Sequence, residues 1–153
     1  MKILLPFDGS AAALDAVHFA IRMAGDGLNT SLVLVNVQEP ASLYELMVAL
    51  DPQVIAQASA AAGAHLLQPA QALLDGAGLP YETEVVTGDP AHTLVDILEN
   101  YGCDLVVMGA SGTTSLRSAL LGSVSNEVLH AAGVPVMIVK GSEPEQDTAD
   151  ITE

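Results

Sequence analysis

Residues 105–125 read LVVMGASGTTSLRSALLGSVS, and this stretch decides the fold of the chain. The apolar run at 105–108 is typical of a buried strand, and helical spacing follows the last glycine of the stretch. Between strand and helix stand Gly109, Gly112 and Gly122. Glycines in this position let backbone N–H groups approach an anion closely, and the helix N-terminus favours negative charge. The stretch therefore predicts a phosphate-binding loop, and with it a nucleotide.

The rest of the chain alternates strand-like and helix-like segments. Apolar runs predict strands at 2–7, 31–37, 105–108 and 136–139, and alternation of polar and apolar residues predicts one at 81–87. Helical spacing predicts helices after Ser10 and Asp89, which suit N-cap positions, and over 53–76 and 124–131. Pro69 lies inside the 53–76 helix, so we expect a kink or a break near Leu67. A short helical turn is expected within 43–50.

Strands that alternate with helices at this spacing predict an α/β fold with a parallel sheet. In such sheets, ligands bind beyond the C-terminal strand ends, where the strand order reverses. Asp8-Gly9-Ser10 and residues 109–112 both follow strands. If the first and fourth strands are neighbours, these two loops face one crevice. We assign residues 1–141 to a single domain and the acidic residues 142–153 to a flexible tail.

The charge of the chain excludes several classes of partner. Four Lys and Arg stand against 19 Asp and Glu, a net charge of −15. Binding to nucleic acid or to anionic membranes needs clustered basic residues, so neither is expected. The apolar N-terminal run stops at Pro6 and is too short for a signal peptide. The single cysteine, Cys103, agrees with a reducing compartment, and we expect a cytoplasmic protein.

Several polar residues have both a functional and a structural interpretation. Asp8 either contacts a ligand or ends its strand and caps the next helix, and Ser123 suits both an N-cap and phosphate contact. Ser111 and Ser125 either bind phosphate or are ordinary polar residues of a turn or a helix surface. Arg117 either binds phosphate or is a solvated loop residue. The four histidines and the cysteine show no metal or nucleophile spacing and are expected at helix surfaces or, for the cysteine, in the core: His18, His65, His92, His130 and Cys103.

The glycine spacing Gly109-x2-Gly112-x9-Gly122-Ser123 resembles the G-x2-G-x9-G-[ST] signature of ATP-binding universal stress proteins. The flanks at 104–108 and 134–136 also look like that family, and the resemblance covers residues 2–140. It implies a five-stranded parallel sheet in the order 3-2-1-4-5 with helices on both faces, Rossmann-like and similar to the adenine nucleotide alpha hydrolase fold. It further implies a homodimer, with ATP held between the first and fourth strands.

The resemblance also implies the nucleotide contacts. Residues 6–8 would meet the adenosine end, Val37 would pack near adenine, and the glycine loop would hold ribose and phosphates. Relatives often carry Arg or His where this chain has Ser111, so the loop would rely on amides, hydroxyls and a divalent ion, Mg²⁺ or Mn²⁺. The implied contact residues are Pro6, Phe7, Asp8, Val37, Met108, Gly109, Ser111, Gly112, Gly122, Ser123, Val124 and Ser125.

We therefore interpret the chain as an ATP-binding regulator of the stress response and not as an enzyme, since no general base besides Asp8 is evident. Two alternatives stay open: a protein that keeps the fold but interacts with partners without nucleotide, and a slow ATPase. The fifth strand would expose an apolar edge in a monomer, and a two-fold partner would cover it. That edge consists of Val136, Met137, Ile138 and Val139.

Overall fold

Five strands alternate with four longer helices in the computed structural model, which describes residues 1–42, 47–48, 51–110 and 121–141. The sequence predicts a short helical turn within 43–50. Met47 and Val48 are helical, and the other residues of this range lie outside the described residues. The strands are β1 (Lys2–Pro6), β2 (Ser31–Gln38), β3 (Tyr81–Thr87), β4 (Leu105–Gly109) and β5 (Val136–Val139), and the helices are α1 (Ala11–Gly25), α2 (Pro52–Ala77), α3 (Pro90–Tyr101) and α4 (Ser123–Ala131).

The strands form one parallel sheet in the order β3-β2-β1-β4-β5, which confirms the predicted fold class and strand order. β1 pairs with β2 on one side and with β4 on the other, with Leu4 opposite both Val33 and Val106. The chain order reverses between β1 and β4. The C-terminal ends of these two strands therefore form the switch point at which ligands bind in open α/β sheets.

Both faces of the sheet are covered, because successive residues of a strand point to opposite faces. Ile3 and Leu5 of β1 belong to a core cluster with α1 and α2, while Leu4 belongs to a second cluster with α3 and α4. All three of these side chains are fully buried. Burial on both faces explains why β1, β2 and β4 read as continuous apolar runs. The edge strand β3, whose residues are exposed or half-buried, alternates instead.

The helix starts follow from local side-chain chemistry. The Ser10 hydroxyl accepts a hydrogen bond from the Ala13 N–H at 3.1 Å, and the Asp89 carboxylate accepts one from the His92 N–H at 3.1 Å. Both predicted N-caps are therefore confirmed. Asp51 caps α2 in the same way, through the Gln53 N–H. Each cap satisfies one of the backbone donors that a helix start leaves without an intrahelical partner.

The expected break near Leu67 is wrong, because α2 runs without interruption through Pro69. A proline inside a helix removes the hydrogen bond to the carbonyl four residues earlier, here that of His65. Both Pro69 and His65 are exposed, so water can bind the freed carbonyl. Leu67 and Ala70 on the opposite side are buried in the core, and their packing holds the helix together.

The remaining sequence expectations concern isolated residues and the tail. The four histidines are exposed on helices, as predicted, and Cys103 is buried in the core. Burial raises the pKa of the Cys103 thiol, which makes it a poor nucleophile. Among the described residues, no helix is both long and apolar enough to cross a membrane. Residues 142–153, the predicted tail, lie outside the described part of the chain.

Candidate functional site

A cavity of about 460 Å³ opens at the C-terminal ends of β1, β2 and β4. Its size falls within the range of small-molecule sites. It is lined by the loop between β1 and α1, by the start of α3 and by the start of α4. The lining residues are Pro6, Phe7, Asp8, Ser10, Ala12, Ala13, Val35, Val37, Glu39, Pro90, Leu94, Met108, Gly109, Ala110, Gly122, Ser123, Val124 and Ser125.

The sequence-predicted contact residues come together in this cavity as far as the structure describes them. Ser111, Gly112 and also Arg117 lie outside the described residues. All the others line the cavity, from the β1 end, the β2 end, the β4 end and the α4 start: Pro6, Phe7, Asp8, Val37, Met108, Gly109, Gly122, Ser123, Val124 and Ser125. Their assignment as nucleotide contacts remains a prediction.

Asp8 shapes the loop between β1 and α1. Its Oδ1 accepts a hydrogen bond from the Ser10 N–H at 2.9 Å, and Ser10 in turn caps α1. Ser10, and not Asp8, therefore caps the helix, and the capping part of the structural interpretation of Asp8 is wrong. Gly9 takes a φ of +83°, a left-handed conformation that suits glycine, and Leu66 of α2 packs against it. The carboxylate is exposed and lines the cavity.

Gly109 is where β4 meets the start of α1. A Cβ built on Gly109 would overlap the carbonyl group of Ala12 and lie 2.9 Å from the Ala13 nitrogen. These are backbone atoms, which cannot rotate out of the way. Gly109 is therefore required for the close approach of α1 to the sheet, and not only for the approach of a ligand. The sequence interpretation, which used this glycine only for anion binding, missed that packing role.

The start of α4 has no side-chain cap. Its N-cap residue is Gly122, and Ser123 is the first helical residue, so the predicted capping role of Ser123 is wrong. The other three helices each have a side-chain oxygen bound to a first-turn N–H. The first N–H groups of any helix lack intrahelical acceptors and carry partial positive charge. Since Gly122, Ser123, Val124 and Ser125 line the cavity, this free positive end lies at its wall.

The described side chains that line the cavity are acidic or neutral. Asp8 and Glu39 are its carboxylates, and within the described part of the chain no Lys, Arg or His lines it. No group of three or more potential metal ligands occurs among the described residues either. An anion here would interact with helix amides and hydroxyls on one side and with carboxylates on the other. Charge neutralisation by a bound cation would favour such an anion.

Glu39, Pro90 and Leu94 line the cavity but were not among the predicted contacts. A signal for the α3 residues was available, because Asp89-Pro90 starts a helix directly after β3. All strands of a parallel sheet end at the same edge, so every helix start that follows a strand is a candidate wall of the site. Glu39 follows β2 in the same way, one residue after Gln38.

The family of the chain follows from comparison with known proteins. The model of the universal stress protein family matches residues 1–140. A universal stress protein of Methanocaldococcus jannaschii, MJ0531, is 31% identical over 139 residues, which cover 91% of this chain and 81% of that protein. The chain belongs to the universal stress protein family.

Solved structures of the family have the same fold. The structure of MJ0577, also from Methanocaldococcus jannaschii, matches with a TM-score of 0.76 and 25% identity over 94% of this chain and 97% of that chain. A universal stress protein in complex with cAMP matches with a TM-score of 0.63 and 26% identity, covering 91% of this chain and 95% of that chain. The second of these structures contains bound cAMP.

Proposed function

We propose that the chain binds an adenine nucleotide, ATP together with Mg²⁺ or Mn²⁺, in the cavity at the switch point. The observation that carries this proposal is the uncapped start of α4, which lines the same cavity as the Pro6–Asp8 loop. A helix start with free N–H groups is a ready site for phosphate. Family membership and a relative that was crystallised with cAMP support the proposal.

The proposed arrangement places the phosphates against the first turn of α4 and the nucleoside between the β1 and β2 ends. Val37 and Met108 offer apolar surface to the base, and Asp8 offers a carboxylate oxygen to the ribose or adenine. The Ser123 hydroxyl and the carboxylates of Asp8 and Glu39 are oxygen groups of the kind that Mg²⁺ and Mn²⁺ accept. The ion would neutralise the charge of the phosphates, because no basic side chain among the described lining residues does so.

The proposed role is regulation of the stress response in the cytoplasm, with nucleotide occupancy as the signal. A binding role fits the cavity better than catalysis does, because its only described ionisable side chains are the exposed carboxylates of Asp8 and Glu39. A slow ATPase would need one of them to position water. Accumulation of ADP with the unaltered protein, and not with Asp8→Ala, would favour that alternative.

Nucleotide release and calorimetry test the proposal. The purified protein is denatured, any released nucleotide is identified by chromatography, and binding of Mg·ATP, AMP and cAMP is then measured by calorimetry. Gly122→Val should weaken binding at least about tenfold, because a branched side chain at the N-cap covers the free N–H groups. Gly133→Val is the matched control, since a Cβ at Gly133 meets nothing within 4 Å. Absence of released nucleotide together with absence of binding would refute the proposal.

We also propose that two copies pair through the edge of β5. β5 ends the sheet, and its four residues, Val136–Val139, are all only half-buried. An apolar edge strand of this kind favours pairing with a second chain. The net charge of −15 opposes association of two copies, so dimerisation should strengthen with ionic strength. Sedimentation analysis at micromolar concentration should show a dimer, and a monomer at 0.5 M salt would contradict the pairing.

A further inference from the structure

Asn36 is the one polar side chain on β2 that is fully enclosed in the described core, with 2% of its surface exposed. Leu34, two residues earlier on the same face of β2, is an apolar core residue. A buried amide is costly unless its hydrogen bonds are satisfied. Asn36 satisfies them on both sides: its Nδ2 donates to the Phe7 carbonyl at 2.9 Å, and its Oδ1 accepts from Gln38 Nε2 at 2.6 Å.

The carbonyl that Asn36 holds belongs to the cavity wall. β1 ends at Pro6, one residue earlier than the sequence predicts, and the Phe7 N–H makes a last bond to the Val35 carbonyl at 2.8 Å. Beyond that point a side chain takes over from the strand pairing, since the Phe7 carbonyl accepts from the Asn36 amide. Phe7 and Asp8 line the cavity, whereas Asn36 does not.

Helix α2 supports this arrangement from behind. Gly63 packs so closely that a Cβ there would lie 2.9 Å from Asn36 Oδ1 and would overlap Val85 of β3. Leu66, less than one turn further along α2, packs against Gly9 of the cavity loop. The Asn36 amide thus lies close to Gly63 of α2 through its oxygen and binds the loop through its nitrogen.

We propose that Asn36 is a positioning residue for the nucleotide, which it does not touch. By holding the Phe7 carbonyl, it fixes the loop that presents Asp8 to the cavity. This inference rests on the proposed function, because the consequence for affinity requires that the cavity binds nucleotide. The consequence for the loop itself does not require a ligand, so the two can fail separately.

The main test replaces Asn36 by leucine, which is similar in size but has no donor. Affinity for Mg·ATP by calorimetry should fall about tenfold, as expected when one buried hydrogen bond to the loop is lost. Leu105→Ala and Leu32→Ala, which shorten core side chains of β4 and β2, are the stability controls. Whichever of these two controls lowers the melting temperature by as much as Asn36→Leu does is the one to compare. It should bind Mg·ATP with the affinity of the unaltered protein.

Two measurements without nucleotide complete the test. In Asn36→Leu, the ¹³C resonance of the Phe7 carbonyl should move upfield, and hydrogen exchange of the Ser10 N–H, which donates to Asp8, should speed up about tenfold. If Asn36→Leu does not fold, Asn36→Ser, whose hydroxyl is too short to reach Phe7, replaces it in every measurement. An unchanged Ser10 exchange rate, or unchanged affinity in a protein that binds nucleotide, would overturn the positioning role. If the unaltered protein binds none, the proposed function fails and the exchange rate decides on Asn36.

Discussion

Replacing Gly109 by alanine should destabilise the whole fold and not only weaken ligand binding. The added Cβ would overlap the Ala12 carbonyl and lie 2.9 Å from the Ala13 nitrogen. Carbon and oxygen atoms that are not bonded ordinarily come no closer than about 3.3 Å, so the start of α1 must move by about 1 Å relative to β4. β4 pairs with β1 and β5 on its two sides and has little freedom to yield.

The size of the effect follows from the kind of atoms involved. Adding a methyl group to a filled core costs about 1–3 kcal/mol, and contact with backbone on a paired strand places Gly109→Ala near the upper end. The gain from a less flexible unfolded chain offsets about 0.4–1 kcal/mol of that. A net loss of about 2 kcal/mol in a domain of this size lowers the melting temperature by about 4–8 °C.

Thermal unfolding followed by circular dichroism measures this shift, and Gly76→Ala is the matched control. Gly76 lies inside α2 with nothing within 4 Å of its Cβ position, so alanine there should stabilise the protein by about 0.5–1 kcal/mol. The same substitution should therefore act with opposite sign at the two positions. If Gly109→Ala melts at or above the temperature of the unaltered protein, steric need does not explain this glycine, and ligand contact becomes its only explanation.

Three further outcomes are expected. Affinity for ATP should rise severalfold between 50 and 500 mM salt at constant Mg²⁺, because screening weakens repulsion by a protein of net charge −15, and calorimetry showing a fall would contradict this. Asp89→Ala should lower the free energy of unfolding by about 1 kcal/mol in urea titrations, since the bond to the His92 N–H is lost, and an unchanged midpoint would deny the cap its role. Burial raises the pKa of the Cys103 thiol in the folded protein. The contribution of this thiol to stability is therefore complete below the pKa of the unfolded thiol, about 8.5. It is lost as pH rises through the higher pKa of the folded state. Stability should therefore fall above pH about 8.5, and less steeply in Cys103→Ala, as measured by urea unfolding at several pH values.

The parts of the fold that the sequence predicts are those set by local chemistry. Apolar runs mark four of the strands and alternation marks β3, while Ser10 and Asp89 mark two helix starts. A strand's pattern and a cap's hydrogen bond both depend on nearby residues. The strand order came from a family resemblance and not from the runs themselves. Pro69 shows the limit of local reasoning: tertiary packing of Leu67 and Ala70 keeps α2 continuous where propensity alone predicts a break.

The candidate site was predictable in membership but not in mechanism. The glycine spacing and the strand ends lead to the residues that line the cavity, including Asp8 and Gly122. What each residue does depends on atoms that are far apart in sequence. The Asn36 amide meets Phe7 across 29 positions, and the overlap at Gly109 involves Ala12, nearly a hundred residues earlier. Asn36 interrupts an apolar run, but the strand pattern does not show which atoms its amide meets, and the overlap at Gly109 leaves no signal there.

The glycines of the signature therefore satisfy two different physical demands. Gly109 makes room for the backbone of α1, while Gly122 leaves the start of α4 without a capping side chain. A variant at Gly109 should lose stability and, through the displaced helix, the shape of the cavity. A variant at Gly122 adopts a φ of −58° that any residue accepts, so it should keep its stability to within about 1 kcal/mol and lose only affinity. If both variants lose affinity and stability in the same proportion, the two glycines act as one unit, and this division of roles is wrong.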